Sequence, residues 1–256
     1  MKIELMTRWY NEEVLAPFFL KHYQFVDKIH LFLDTDTDDK TLEKIDLAKK
    51  EHDNIQVYDF KFPDKVNDII ARDHFNDFYK TLNCDYVFLV DADEFIFYPE
   101  GYLEKDPHII HFTKLWNVYR HITDKDLDIN ISVQEQRRHG VSDLEGWDIY
   151  TKVNIAKVGL DFWWEAGMHS AYLNGNLIDW TRIPHGWLPP GVSWTPLMGA
   201  HWPNADPCFS IQRRLNRCLR QSEYNLTHGL STQHHGVTED KIVSLLKSHE
   251  NDPRVI

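Results

Sequence analysis

An α/β fold with a mostly parallel, Rossmann-like central sheet flanked by helices is what the first hundred residues predict. Three observations carry that expectation. Short apolar runs alternate with amphipathic stretches in the order β-α-β-α-β-α-β, which calls for parallel strands joined by right-handed crossovers. The run Asp85-Tyr86-Val87-Phe88-Leu89-Val90-Asp91-Ala92-Asp93-Glu94-Phe95 sets an apolar strand directly before three carboxylates. The length of 256 residues, 42% of them apolar and nine of them Trp, suits one large domain with a sizeable core.

The elements follow in order. Ile3 to Met6 reads as a strand. Asn11-Glu12-Glu13 has N-cap and first-turn chemistry, and Val14, Leu15, Phe18, Phe19, His22 and Tyr23 then share one helical face, with Pro17 tolerated near the start. Ile29 to Leu33 is a second strand ending at Asp34. The acidic loop Asp34-Thr35-Asp36-Thr37-Asp38-Asp39 caps a helix marked by Leu42, Ile45 and Ala48. Ile55 to Phe60 is a third strand. Val66, Ile70, His74, Phe78 and Leu82, at steps of four, predict a long amphipathic helix before the fourth strand, Tyr86 to Val90. Beyond residue 100 the pattern loosens into a Trp-rich half. Strands are expected within 108–118, 131–135 and 149–158, a long irregular loop over 183–207, and closing helices over 208–222 and 239–249. Residues 1–100 and 101–205 would form two halves of one domain, with 206–256 a helical extension.

Composition narrows the function. A net charge of −12 argues against nonspecific binding to nucleic acid or anionic lipid. Cys84, Cys208 and Cys218 are odd in number and form no CxxC pair, as expected of reduced thiols in an intracellular protein. The opening residues turn polar too soon for a signal peptide, and no stretch reaches the roughly 18–20 apolar residues of a membrane span. A cytoplasmic location is the expectation. Fifteen His make any single one weak evidence for a site.

Open α/β sheets bind ligands at the carboxyl ends of their strands. Like charges gathered there repel, and a divalent cation is the usual compensation; Mg²⁺ and Mn²⁺ prefer oxygen donors. Asp91 and Asp93, two apart, would face the same way in extended backbone and hold one cation. An acidic turn that caps the next segment is the plainer alternative. The loop Thr7 to Glu13 lies at the same edge, where an Arg and a helix N-terminus suit a phosphate. Asp34 is placed to accept hydrogen bonds from a base or ribose, or simply to cap a helix.

Thr7-Arg8-Trp9-Tyr10-Asn11-Glu12-Glu13, Asp34-Thr35-Asp36-Thr37-Asp38 and Asp91-Ala92-Asp93-Glu94-Phe95, in this order and spacing, resemble the nucleotide-sugar half of a GT-A glycosyltransferase of the family-2-like, Asp-x-Asp-Glu-Phe type. The resemblance covers about residues 1–100. It implies that Thr7, Arg8, Asn11 and Glu12 line the nucleotide pocket and that Asp34 meets the uracil or ribose. It further implies that Arg72, in Ala71-Arg72-Asp73, faces the nucleotide, that Asp91 contacts ribose or metal-bound water, and that Asp93 ligates Mn²⁺ or Mg²⁺. This chain lacks the usual Gly after the second-strand Asp and carries extra acids there, so Asp34 and Asp36 stand as alternatives.

Such an enzyme also needs a base and a late metal ligand. Phe162-Trp163-Trp164-Glu165-Ala166-Gly167-Met168-His169-Ser170 combines aromatic platforms, a carboxylate and a Gly-x-His pattern. It nominates Glu165 as base and His169 as metal or diphosphate ligand, with core packing the alternative for both Trp. His201 and His185 are rival late His. Asp148 is a second candidate base, and Asp143, Glu145 and Asp161 are others; solvated surface acids are the plainer reading of these. Arg213, Arg214, Arg217 and Arg220 form a basic helical face, either solvated and ion-paired or turned to an anionic acceptor.

The expected activity is metal-dependent, inverting transfer of a sugar from a nucleoside-diphosphate sugar, UDP-sugar first, to a hydroxyl of a glycan or glycoconjugate. A non-catalytic nucleotide-sugar or carbohydrate-binding module is one alternative. A nucleotidyltransferase is another, though residues 7–13 lack the Gly and Lys it would want.

Overall fold

The structure, a computed structural model, describes residues 1–141, 151–179, 189–193 and 197–252. The first half runs β1 (Ile3–Trp9), α1 (Ala16–His22), β2 (Lys28–Asp34), α2 (Thr41–Ala48), β3 (Ile55–Phe60), α3 (Asp68–Tyr79) and β4 (Tyr86–Leu89). The chain continues through β5 (Glu94–Ile96), α4 (Tyr102–Lys105), β6 (Ile110–Tyr119), α5 (Val133–Gln136), β7 (Gly140–Val141) and β8 (Thr151–Lys157). Then come β9 (Phe162–Trp164), β10 (Ser170–Leu173), β11 (Asn176–Asp179), β12 (Leu197–Asn204), α6 (Pro207–Leu219), α7 (Glu223–Thr227) and α8 (Glu239–His249).

The central sheet is ordered β3-β2-β1-β4-β8-β6-β12-β5, with β7 on the side of β6. Strands β3, β2, β1 and β4 are parallel neighbours, as the βαβ alternation requires. β8 runs against both β4 and β6, and β12 runs parallel to β6. Strands β1 to β4, β6 and β12 therefore share one direction, so the sheet is mixed but mostly parallel, consistent with a GT-A, Rossmann-like fold. Alternate residues of β1 serve opposite faces. Leu5 packs with Phe18, Phe19 and Tyr23 of the α1 side, and Met6 with Phe32, Ala71 and Tyr79 of the α3 side. A smaller antiparallel sheet, β11-β10-β9, lies over the second face and contributes Phe162, Trp164 and Ala171 to its core.

Several expectations give way. Asn11 does not cap α1: Leu15 is the N-cap, and Asn11 sits in the left-handed region with φ 51°. Residues 131–135 hold the short helix α5 rather than a strand. The expected loop over 183–207 contains β12, an interior strand between β6 and β5. Its Pro203 and the nearby prolines masked that pattern, and Gly199 is there because the strands crowd. An added Cβ would stand 2.7 Å from the Phe95 carbonyl oxygen and 2.7 Å from a Leu115 methyl. In α2, Ile45 is buried but Leu42 is exposed.

Candidate functional site

A cavity of ≈ 210 Å³ opens at the carboxyl ends of β1 and β4. The end of β1 supplies Arg8 and the loop after it Asn11 and Glu12; α3 supplies Arg72 and Phe75; the turn after β4 supplies Asp91. The far wall holds Lys152 of β8, then Trp164, Glu165 and His169 around a short 3₁₀ turn. α6 closes the third side with Arg213 and Arg217, followed by Arg220. Ala71 and Gly167 leave room between these walls.

Sheet register delivers the charges. β4 and β8 pair antiparallel with Phe88 opposite Ile155, which brings the start of β8, with Lys152, alongside the segment that follows β4, with Asp91. The Lys152 ammonium donates to Asp91 at 2.8 Å and lies 2.5 Å from the buried Glu94. β12 pairs with β5 with His201 opposite Glu94, so His201 Nε2 reaches 3.3 Å from Asp93 Oδ2. From the other side Arg213 donates to Asp93, and through Nε and Nη2 to Glu12 at 3.1 and 3.0 Å. Arg220 donates to Asp34 at 2.6 Å and lies 3.5 Å over the Tyr10 ring. Arg72 bridges to Glu165 at 3.2 Å.

These pairings tune the acids differently. Burial works against ionised Asp91, but the Lys152 ammonium outweighs it and brings the carboxyl down to about 2. Asp93 is buried too, and Arg213 and His201 hold it well below the usual carboxylate range. Burial dominates at Glu12, pushing its carboxyl up to about 7 despite Arg213. Glu94 is likewise raised by burial against the pull of Lys152. His169 stands at the solvent rim, yet crowding on its inner side and the nearby Lys152 ammonium lower its basicity. As a neutral ring its Nδ1–H donates to the Thr151 carbonyl at 3.2 Å, which leaves Nε2 as an acceptor.

The structure gathers Arg8, Asn11, Glu12, Arg72, Asp91, Glu165 and His169 around one cavity. Others of the expected set lie apart. Thr7 is fully buried and its hydroxyl accepts from Trp9 Nε1 at 2.9 Å. Asp34 is buried beneath Arg220. Asp36 is exposed and paired with Lys61 at 3.1 Å. The second-strand loop still supports the site, because Asn11 Nδ2 donates to Asp38 at 2.6 Å and Glu12 N to Thr41 Oγ1 at 2.7 Å. Asp93 and His201 lie behind Arg213, beyond the cavity lining. Trp164 is core, donating to the Val153 carbonyl at 2.6 Å; Trp163 is 52% exposed and meets Tyr172 edge-on. Asp148, Asp143, Glu145 and His185 lie outside the described residues.

A divalent cation is tested by its donors. Among the described residues no group of three or more His, Cys, Asp or Glu gathers for a metal. Mg²⁺ and its like, however, are commonly held by one or two protein groups plus substrate phosphates. Asp93 with His201 supplies such a pair, and Asp93 Oδ1 is buried without a hydrogen-bond partner. These donor types suit a divalent cation, but a cation arriving with a diphosphate in the cavity reaches them only once Arg213 releases Asp93. Arg213 and Lys152 already neutralise the two aspartates without it.

Sequence reading missed Lys152. Its signal was a Lys and an Asn inside the otherwise apolar run Lys152-Val153-Asn154-Ile155-Ala156. Asn154 proves to tie β4 to β5, donating to the Leu89 carbonyl at 2.7 Å and to Glu94 at 3.3 Å. The basic face of α6 was visible, but it is a wall of the cavity and not a solvated surface: Arg213 is buried. His234, in a segment the sequence marks as a polar loop, is buried on the same wall.

No family model matches the chain, and no curated protein matches it. Solved structures similar to the chain at low identity include GT-A-type glycosyltransferases. TarS of S. aureus is 14% identical over 97% of this chain and 43% of its own, with a TM-score of 0.45. Its 1–349 portion in complex with UDP-GlcNAc is 13% identical over 97% and 71%, with a TM-score of 0.42. The mannosyltransferase PcManGT of Pyrobaculum calidifontis, in complex with GDP-Man and Mn²⁺, is 13% identical over 45% of this chain and 35% of its own, with a TM-score of 0.33. This chain thus spans less than half of the longer TarS structure, and likenesses this remote do not place it in a family.

Proposed function

We propose that this protein is a glycosyltransferase that passes a sugar from a nucleoside-diphosphate sugar, UDP-sugar first, to a hydroxyl of a glycan or glycoconjugate with inversion. One observation carries the reading. A single cavity at the sheet's carboxyl edge sets cations of β1, α3 and α6 around Asp91, with the carboxylate of Glu165 on its lining beside Arg72. Basic side chains suit the two phosphates, and a carboxylate suits proton removal from an acceptor.

In this mechanism the acceptor hydroxyl attacks the anomeric carbon in line. The bond from that carbon to the diphosphate oxygen breaks, and its electron pair leaves with the nucleotide. Glu165 takes the hydroxyl proton. Arg72, 3.2 Å from Glu165, orients it until donor phosphate competes for the guanidinium. Lys152 and the arginines offset charge as it builds on the leaving group. With Arg213 drawn off Asp93, Asp93 and His201 would hold a Mn²⁺ or Mg²⁺ ion, which would supply Lewis-acid stabilisation of the diphosphate. The exposed Trp163 face suits stacking of an acceptor sugar.

A thermal-shift screen of nucleotide-sugars with and without Mn²⁺ tests donor binding, since a ligand that binds the folded state raises the melting temperature. Glu165→Gln is expected to lower kcat by roughly 10²–10⁴-fold with donor binding kept. Undiminished turnover in that variant would remove Glu165 as the base. The Mn²⁺-dependent part of the thermal shift is expected to disappear in His201→Ala.

A further inference from the structure

We propose that Arg8 and Arg217 form a clamp for the donor's diphosphate that engages its two phosphates with or without a divalent cation. The inference rests on the nucleotide-sugar reading of the cavity and adds to it the groups that select a diphosphate.

The charge pattern of the wall singles out these two residues. Lys152 is committed to Asp91 and Glu94, Arg213 to Glu12 and Asp93, Arg220 to Asp34, and Arg72 to Glu165 and Asp73. Arg8 and Arg217 also line the cavity, and neither has a carboxylate within ion-pair distance among the described residues. The acids whose fields reach Arg8 are Asp91, Asp68 and Asp34, and each is engaged elsewhere: Asp91 by Lys152, Asp34 by Arg220, Asp68 by the Ser231 hydroxyl at 2.6 Å.

Arg8 is also held in place. Its guanidinium lies 4.8 Å from the Phe62 ring centroid and 5.9 Å from that of Phe60, and its Nε is buried without a hydrogen-bond partner. Arg217 Nη1 has only the edge of a contact, 3.5 Å from His234 Nε2. Arg8 and Arg217 repel one another across the cavity, and burial compounds the cost at Arg8. The positive field is strong enough that burial together with Arg217, Arg213 and Arg214 drives buried His234 down to about 2, fully neutral at physiological pH. Two uncommitted guanidiniums that line one cavity and feel each other's charge are compensated by an anion with two adjacent charged centres. A diphosphate meets that requirement, with planar forks on each phosphate; a monophosphate engages one.

Calorimetric titration of the full chain decides the matter. The probes are UDP, GDP and dTDP, each beside its monophosphate, in EDTA and in Mn²⁺. The proteins are wild type, Arg217→Gln, Arg8→Gln and Arg138→Gln, the last removing a charge outside the cavity. In EDTA, wild type is expected to bind at least one diphosphate about tenfold or more tighter than its monophosphate. Arg217→Gln should lose about tenfold in diphosphate affinity and most of that preference, while Arg138→Gln keeps both. Should Arg8→Gln fail to fold, Arg217→Gln alone carries the test. Wild-type binding that needs Mn²⁺ outright, or a diphosphate preference intact in Arg217→Gln, overturns the clamp and leaves the nucleotide-sugar reading standing. No binding of any nucleotide in either condition overturns both.

Discussion

Glu12 is an acid placed where its charge is costly. Its carboxyl moves from an ordinary 4.5 up to about 7 in the folded chain because burial outweighs Arg213. A raised folded value means that the native state binds the proton more tightly than the unfolded state. The stabilisation is complete below about 4.5 and is lost as pH rises through about 7. At about 1.4 kcal/mol per pH unit, that interval amounts to roughly 3 kcal/mol. Glu12→Gln is therefore expected to flatten the fall in stability between pH 5 and 8, as seen by urea unfolding at several pH values. Lys152 has the opposite character: it is a buried cation whose absence would strand two neighbouring acids. Lys152→Met should cost roughly 3–5 kcal/mol by urea unfolding, and adding Glu94→Gln should restore part of it.

The site was unevenly legible at this scale. Asp91 and Arg8 could be found because each ends an apolar strand, and a strand's carboxyl end points to one edge of the sheet. Asp93 has the same sequence signal but a different fate, because residues 120 positions later in the chain seal it in. Thr7 and Asp34 were drawn in by the same logic and then turned inward, Thr7 to Trp9 and Asp34 to Arg220. No local pattern announces the partner of a buried charge.

At the scale of elements, the parallel core could be read because each strand and helix has its own periodicity. β12 could not, since its Pro203 and Gly199 speak against an interior strand until the tight approach of β5 and β6 is known. Gly199→Ala should wedge that approach, costing about 1–3 kcal/mol, and should displace His201 from Asp93. Unfolding curves and the Mn²⁺-dependent thermal shift would register the two effects separately. In α6, Asp206 caps the helix by accepting from Phe209 N at 2.9 Å, and the spacing of Arg213, Arg217 and Arg220 keeps one face on the cavity. That spacing was visible in the sequence; which surface it met was not.

Across the whole molecule, the C-terminal segment is no appendage in energetic terms. Arg213 and Arg220 neutralise Glu12, Asp93 and Asp34, and Val66 pairs with Gln221 in an isolated parallel bridge. Deleting residues 206–256 would leave those three buried acids without their guanidinium partners, at several kcal/mol for each broken pair. The truncated chain is expected to show a broad, low-temperature melt by circular dichroism; a sharp transition near that of the full chain would contradict this.

The contacts that complete the cavity are long in sequence: 61 residues separate Lys152 from Asp91, 186 separate Arg220 from Asp34, and 201 separate Arg213 from Glu12. Contacts of such span form late, because large loops must close first. During refolding, helix and sheet signals should recover before ligand binding does. During synthesis on the ribosome, the cavity stays unfinished until α6 and Arg220 have emerged, so the nascent protein cannot engage its ligand before then.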